Sequence, residues 1–297
     1  MKKIFFTAAL FATLSFGFVS CENPDDDKFG NSTEQSDDNE TPDSGDDDSD
    51  TPSAGIGAFS VSADKQVYFS PGNLQYIQSS DTWQFASCQW ECVGTDNGAG
   101  GGANVALANK VDLFGWSTSA THFGVSTSTD YDDYYGSFVD WGSNQIGDDV
   151  PNTWRTLTKD EWRYLLNTRT NASSLKGVAQ VNGVNGLILL PDSWTCPDGI
   201  TFKSGFHDDN GKEYYAAYQT FTADQWSKME AAGAVFLPAA GYRYGSDVFD
   251  VQYYGLYWSA TEGNSYDASY LDFRSGEAYM YFYSRYYGRS VRLVKDL

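Results

Sequence analysis

Residues 242–296 read YRYGSDVFDVQYYGLYWSATEGNSYDASYLDFRSGEAYMYFYSRYYGRSVRLVKD. Twelve of the chain's 21 tyrosines fall between Tyr242 and Tyr287. Two short segments within this stretch alternate in polarity. In Tyr270–Arg274, Leu271 and Phe273 are expected to face a core, while Tyr270, Asp272 and Arg274 face water. In Tyr279–Tyr283, Met280 and Phe282 point inward and Tyr279, Tyr281 and Tyr283 outward. A period of two means strands with one buried face. Ser275-Gly276 supplies the turn that a hairpin needs between them. The outer face then becomes a tyrosine-rich panel mixed with Asp, Ser and Arg. Large exposed aromatic patches are rare without a use, and tyrosine with Ser, Gly and Asn is the chemistry of binding loops. The plainer alternative is that some of these rings are buried with only the hydroxyl reaching water.

The start of the chain has a different character. Met1-Lys2-Lys3 is basic, residues 4–19 are mostly apolar but too short for a bilayer span, and Ser20-Cys21 follows. Residues 1–20 are expected to be a secretory signal peptide of the bacterial lipoprotein kind, with Cys21 acylated as the mature N-terminus. Phe18 stands where such signals usually carry Leu. A lipid on Cys21 anchors a protein to a membrane without crossing it. Residues 21–55 are expected to be a disordered acidic tether. Glu22–Gly55 holds 13 acidic residues against Lys28, a net −12 of the chain's −21, with too few apolar groups to offset the entropy of ordering. Glu22–Asp27 resembles the acidic tract that sends lipoproteins of Bacteroidetes-type bacteria to the outer surface. A solvated periplasmic spacer is the alternative.

Residues 56–297 are long enough for a large domain and show no second linker, so one domain is expected there. Its net charge of about −11 argues against a nucleic-acid partner. Phe59–Ser62 and Gln66–Ser70 form a hairpin pattern, and Leu74–Ile77 and Trp83–Trp90 suggest further strands. The glycine-rich Asn97–Gly102 neither opens a helix nor carries a Lys-Ser/Thr pair, so a phosphate cradle is not supported. Asp130–Asp133, Asp148-Asp149 and Asp208–Gly211 leave calcium possible. None has the spacing of a complete calcium loop, and Asn210-Gly211 also suits a type I′ turn.

Two helices begin alike. Thr158 and Thr222 are N-caps followed three residues later by Glu161 and Gln225, which makes a capping box in each. Leu157 with Trp162, and Phe221 with Trp226, supply hydrophobic staples. The first helix is expected to bury Trp162, Leu165 and Leu166. The second buries Trp226 and Met229 and ends near Gly233. Between them, Gly186–Leu190 reads as a buried strand. The fold class is α+β, two helices with antiparallel, loop-rich sheets.

The segment WRTLTKDEWRYLL (154–166) resembles the helix start of the formylglycine-generating, sulfatase-modifying superfamily. YWSATEG (257–263), then Ala268, Leu271 and Phe273, then GRSVRLVKD (288–296) resemble its C-terminal half. The similarity is nearest to the secreted major paralogous domain first described in Fibrobacter, and spans roughly Val67–Asp296. The resemblance implies a C-type-lectin-like fold with twisted antiparallel sheets and long loops, in which Val291–Val294 lies near Val67–Phe69. Oxidases of the superfamily bind copper through C-terminal cysteines. Here the cysteines are Cys21, Cys88, Cys92 and Cys196, so catalysis of that type is not carried over, and no enzyme activity is expected. The Glu-Pro-Asn and Trp-Asn-Asp motifs of calcium-dependent lectins are absent as well. A disulfide involving Cys196 suits an exported protein, with its pairing left open among Cys88, Cys92 and Cys196.

The framework around these tyrosines also resembles the target proteins of diversity-generating retroelements. That resemblance implies a ligand face of variable Tyr, Asp, Ser and Asn. The candidate ligand-binding residues are Tyr244, Asp250, Tyr266, Asp267, Tyr270, Asp272, Arg274, Tyr279, Tyr281, Tyr283 and Tyr287. The expected function is recognition of a protein or glycan ligand by a surface-anchored lipoprotein of the outer membrane. Calcium is the one cofactor left possible. The alternatives are a fimbrial or outer-surface assembly subunit and, behind it, a formylglycine-generating oxidase.

Overall fold

The computed structural model describes residues 57–94, 97 and 109–297. The signal peptide, Cys21 and the tether lie outside the described residues, as does the glycine-rich loop apart from Asn97. The described chain opens with a hairpin, β1 (Phe59–Ser60) and β2 (Gln66–Phe69), followed by β3 (Leu74–Ile77), β4 (Thr82–Phe85) and β5 (Lys110–Val111). The strand expected over Trp83–Trp90 is therefore shorter. Beyond Phe85 the chain turns, and Glu91 takes up Ser87 and Lys110 rather than continuing the ladder. β3 sits between β4 and β5 in a three-stranded sheet.

After β6 (Arg155–Thr156) comes α1 (Lys159–Arg163), which continues as a π-helical turn over Tyr164–Thr168. Both halves of its capping box form at Thr158 and Glu161. Trp162, Leu165 and Leu166 are buried, as their spacing on one helical face requires. β7 (Lys176–Val181) and β8 (Val184–Leu189) pair across Asn182-Gly183. Then follow α2 (Lys212–Tyr218), β9 (Thr220–Phe221), α3 (Ala223–Ala231) and β10 (Val235–Pro238). α3 has the expected capping box at Thr222 and Gln225, buries Trp226 and Met229, and is followed by Gly233 at φ +88°.

Three α-helices are present among the described residues, one more than the sequence signals, in a mixed α+β architecture dominated by small, mostly antiparallel sheets. The extra one corrects the reading of Asn210-Gly211 as a hairpin turn. Gly211 instead precedes α2, and the Asn210 side chain accepts from the Gly276 amide at 2.9 Å. Seven residues are too few to show amphipathic periodicity, and Tyr215 is the buried residue that fixes the helix in place.

The C-terminal stretch forms β11 (Tyr242–Tyr244), β12 (Asp247–Phe249), β13 (Gly255–Glu262), β14 (Asp267–Arg274), β15 (Glu277–Ser284) and β16 (Leu293–Asp296). β16 lies between β2 and β6, with Val294 opposite Phe69 and Asp296 opposite Val67. The two ends of the domain are thus held in one sheet, as expected. β13, β14 and β15 form an antiparallel sheet with β14 at its centre. Gly255 has no substitute in this register, since a Cβ there would fall 1.9 Å from the Phe273 ring. The described residues all belong to one compact unit.

One apolar cluster packs Tyr257, Leu271 and Phe273 against α1, β8 and β10. A second packs Leu256, Trp258 and Tyr270 against Phe114, Trp116 and Trp141. Strand β14 is therefore covered on both faces, which corrects the expectation of one face open to water. Tyr270 is 5% exposed and Asp272 6%. The cover comes from residues 113–116, remote in sequence from β14, and from residues 285–292, which follow β15. The backbone there is stitched by Phe114 N to Arg289 O at 2.8 Å, Arg289 N to Phe114 O at 2.8 Å and Trp258 N to Ser290 O at 3.0 Å. Phe282, expected inside, is 37% exposed on the edge strand β15. Its ring is capped instead by Lys159, whose Nζ stands 4.5 Å from the centroid.

Candidate functional site

Strand register decides which side chains meet. On one face of the β13–β15 sheet, Asp272 lies opposite Leu256 on one side and Tyr279 on the other. Tyr270 lies opposite Trp258 and Tyr281. Residues two apart share a face, so Tyr270, Asp272 and Arg274 align beside Tyr279, Tyr281 and Tyr283. These side chains, with Tyr242, Tyr254, Leu256, Tyr287 and Arg289, enclose an open cup of ≈ 350 Å³. That volume is at the lower end of small-ligand pockets.

The walls are aromatic. Tyr281 meets Tyr270 and Tyr279 edge-on, both at 6.1 Å, and Tyr283 meets Tyr287 at 5.0 Å. Tyr281 and Tyr283 are exposed at the rim. Arg274 donates from Nη2 to the Tyr279 hydroxyl at 2.7 Å, lies 3.4 Å from Glu277 and sits over the Tyr254 ring at 5.0 Å.

The floor is polar and incomplete. Arg289 is 2% exposed, with its guanidinium carbon 3.9 Å from the Tyr270 centroid and 4.4 Å from that of Trp258. Two of its nitrogens, Nε and Nη1, are buried without a hydrogen-bond partner, and so is Asp272 Oδ1. Buried polar groups are almost always paired, and one left unpaired costs ~1–3 kcal/mol or more for a charge. Burial pushes the Asp272 carboxyl up to about 6, against the pull of Arg274 and Arg289 and with a push from Glu277. Burial likewise lowers the Arg289 guanidinium, and Tyr270 and Asp272 work the other way. The Tyr279 hydroxyl is raised by burial and then by Asp272.

Seven of the eleven residues picked from the sequence line this cup: Tyr270, Asp272, Arg274, Tyr279, Tyr281, Tyr283 and Tyr287. Tyr244 stands beside the rim, its ring 5.3 Å from that of Tyr287. Tyr266 belongs to a neighbouring aromatic group, at 5.4 Å from Tyr131 and 5.6 Å from Tyr135. Asp267 is engaged in a local turn, where its Oδ2 accepts from Asn264 Nδ2 at 3.0 Å. Asp250 has φ +55° and shapes the turn before β13, its carbonyl accepting from Tyr253 and Tyr254. Sequence reasoning missed Arg289, Tyr242 and Tyr254. Arg289 lies in the GRSVRLVKD segment, where it passed as framework. Nothing local sets it apart, since Gly288 and Ser290 flank it and Arg285 and Arg292 lie close by in the sequence.

Among the described residues no group of three or more His, Cys, Asp or Glu is placed to hold a metal ion. Cys196, expected in a disulfide, is a free and exposed thiol whose Sγ points to the Ile200 carbonyl at 3.4 Å. Cys92 is also free, and burial pushes its thiol up to about 12, aided by Asp112 and Glu91. No helix of the described residues is long and apolar enough to cross a membrane.

No curated protein and no solved structure matches the chain. A family model described as a domain of unknown function (DUF8237) matches residues 198–294, a span that contains every residue lining the cup.

Proposed function

We propose that the protein is a surface-anchored lipoprotein whose C-terminal cup recognises a protein or glycan ligand. In this reading Cys21 carries the lipid, the acidic segment after it projects the head from the outer membrane, and the head is a C-type-lectin-like domain. The pairing of β2 with β16 and the helix-flanked antiparallel sheets support that fold. The act is recognition rather than catalysis. The observation that carries the proposal is the floor of the cup, where Asp272 and Arg289 are buried beside open space with polar atoms unpaired. A ligand supplying those bonds recovers the free energy the empty protein forgoes, and the tyrosine walls add contact area at low entropic cost.

The test is the triple substitution of Tyr279, Tyr281 and Tyr283 by Ala. These rings stand on an edge strand, partly or largely exposed, so the variant is expected to keep its unfolding transition while capture on glycan arrays and from displayed peptide libraries disappears. Loss of the fold would make the rings core and sink the idea. The retroelement reading gains support from the convergence of seven candidate positions on one cup. Sequencing of codons 240–290 across sibling isolates is expected to show substitutions confined to such positions, and an invariant region would remove that reading.

A further inference from the structure

We propose that the cup holds one neutral pyranose ring of a glycan, and that the attached saccharide chain runs from the cup along a strip of tyrosines ending at Tyr135. The inference rests on the reading of the cup as the binding site and adds the class of ligand and its direction.

Charge selects first. Asp272 and Glu277 stand against Arg274 and Arg289, so the formal charges around the floor balance. A cationic ligand group would meet two guanidiniums, and an anionic one would meet the Asp272 carboxylate. A neutral group escapes both costs.

Hydrogen bonding selects next. The floor lacks one donor, for Asp272 Oδ1, and one or more acceptors, for Arg289 Nε and Nη1. Each hydroxyl group is donor and acceptor at once. Two hydroxyls on adjacent ring carbons therefore answer a carboxylate and a guanidinium together. The main chain of β14 is already paired on both sides, by β13 and β15. The floor thus reads side-chain chemistry and offers a peptide backbone no ladder there.

Shape agrees. The cup of ≈ 350 Å³ has the volume of roughly twelve liquid waters, room for a ring that presents C–H faces to the walls and hydroxyls to the floor. Tyrosine rings suit such a ligand because their faces are apolar and their hydroxyls are not.

The strip gives direction. From Tyr287 at the cup, ring follows ring: Tyr286 at 4.9 Å, then Tyr131 at 4.8 Å, Tyr266 at 5.4 Å and Tyr135 at 5.6 Å. Tyr131, Tyr135 and Tyr266 are exposed and come from two segments far apart in the chain. A run of neighbouring aromatic rings that leaves a polar-floored cup, half-buried at Tyr287 and Tyr286 and exposed beyond them, suits a chain of rings more than a compact side chain.

The experiment immobilises short neutral oligomers of glucose, galactose, mannose and xylose beside anionic polygalacturonate and cationic chitosan, and screens the full-length protein in EDTA and in calcium. A yeast-displayed random peptide library is screened in parallel. The expected result is capture by at least one neutral oligosaccharide, equal in EDTA. Asp272→Asn and Arg289→Met each weaken it about ten- to a hundredfold, as loss of a bond to a charged group does, with near-ultraviolet circular dichroism unchanged. Tyr131→Ala with Tyr266→Ala is expected to weaken a long oligomer several-fold and to leave the disaccharide unaffected. Capture confined to the charged polymers, or neutral capture that survives Asp272→Asn, overturns the proposal. A peptide captured in place of any glycan and lost on Asp272→Asn overturns the ligand class and leaves the cup as a recognition site. Nothing captured by either screen overturns both.

Discussion

Arg285 and Arg289 are four residues apart, and both are buried, at 1% and 2% exposure. Both lie over a tryptophan ring, but their hydrogen bonding differs. Arg285 lies over the Trp116 ring at 4.2 Å and donates to the carbonyls of Tyr134, Gly136 and Asn264 at 3.3, 3.1 and 2.5 Å, and to the Glu262 carboxylate. It ties the loop carrying Tyr134 to the turn between β13 and β14. Arg289 has equal burial and two aromatic faces, yet Nε and Nη1 find no partner and the cup opens beside them. Arg292, buried nearby with two unpaired nitrogens of its own, keeps one bond at 2.7 Å to Gln89. A buried charge whose hydrogen bonds are met holds a fold together, whereas one left partly unbonded at the wall of a cavity costs stability. Such a cost is the expected mark of a site shaped for something other than the protein itself.

The largest expected effect breaks the first half of this comparison. Arg285→Met leaves three carbonyls without their donor while Glu262, itself exposed, turns to water; at about 1–3 kcal/mol for each stranded carbonyl the cost is expected to reach about 3–5 kcal/mol, read as a lower urea midpoint. A midpoint within experimental error of wild type would mean that the network is ornamental.

The next effect sharpens the second half through Asp272. Its folded carboxyl titrates near 6, above its ordinary value of 3.8, because burial disfavours the charge. The folded state therefore holds the proton more tightly than the unfolded state. That contribution is fully present below pH 4 and is lost as pH rises to about 6, by about 3 kcal/mol in all. Asp272→Asn removes the titration. It is expected to match wild type near pH 3.5 and to exceed it in stability by up to ~3 kcal/mol at pH 7. Parallel stability curves for the two proteins across pH 3.5–7 would show that Asp272 is solvated after all.

Much of this architecture is legible in the residues. The capping boxes at Thr158 and Thr222, the inward Leu271 and Phe273, and the joining of the domain's two ends in one sheet all follow from local pattern or from the family resemblance. The fate of Tyr270 and Asp272 does not. Alternation assigns side chains to faces, but whether a face meets water depends on what packs on it, and here residues 113–116 and 285–292 supply the cover. The same limit hid the strip, because Tyr131 and Tyr135 join Tyr266 and Tyr286 only in three dimensions. Helix α2 escaped because seven residues are too short for a periodic signal.

The smallest expected shift in stability gives the most direct test. Arg289→Met places an apolar side chain of similar length among Trp258, Tyr270 and Tyr283. It exchanges a cation–π contact for packing and removes a desolvated charge, so stability is expected to move by no more than about 1 kcal/mol. Unfolding and ligand capture are measured on this variant and on wild type side by side, against the same glycan and peptide panels. The account predicts matching midpoints and loss of whatever wild type captures. A collapsed midpoint, or capture equal to wild type, would contradict it, for Arg289 would then be either a pillar of the fold or a bystander to binding.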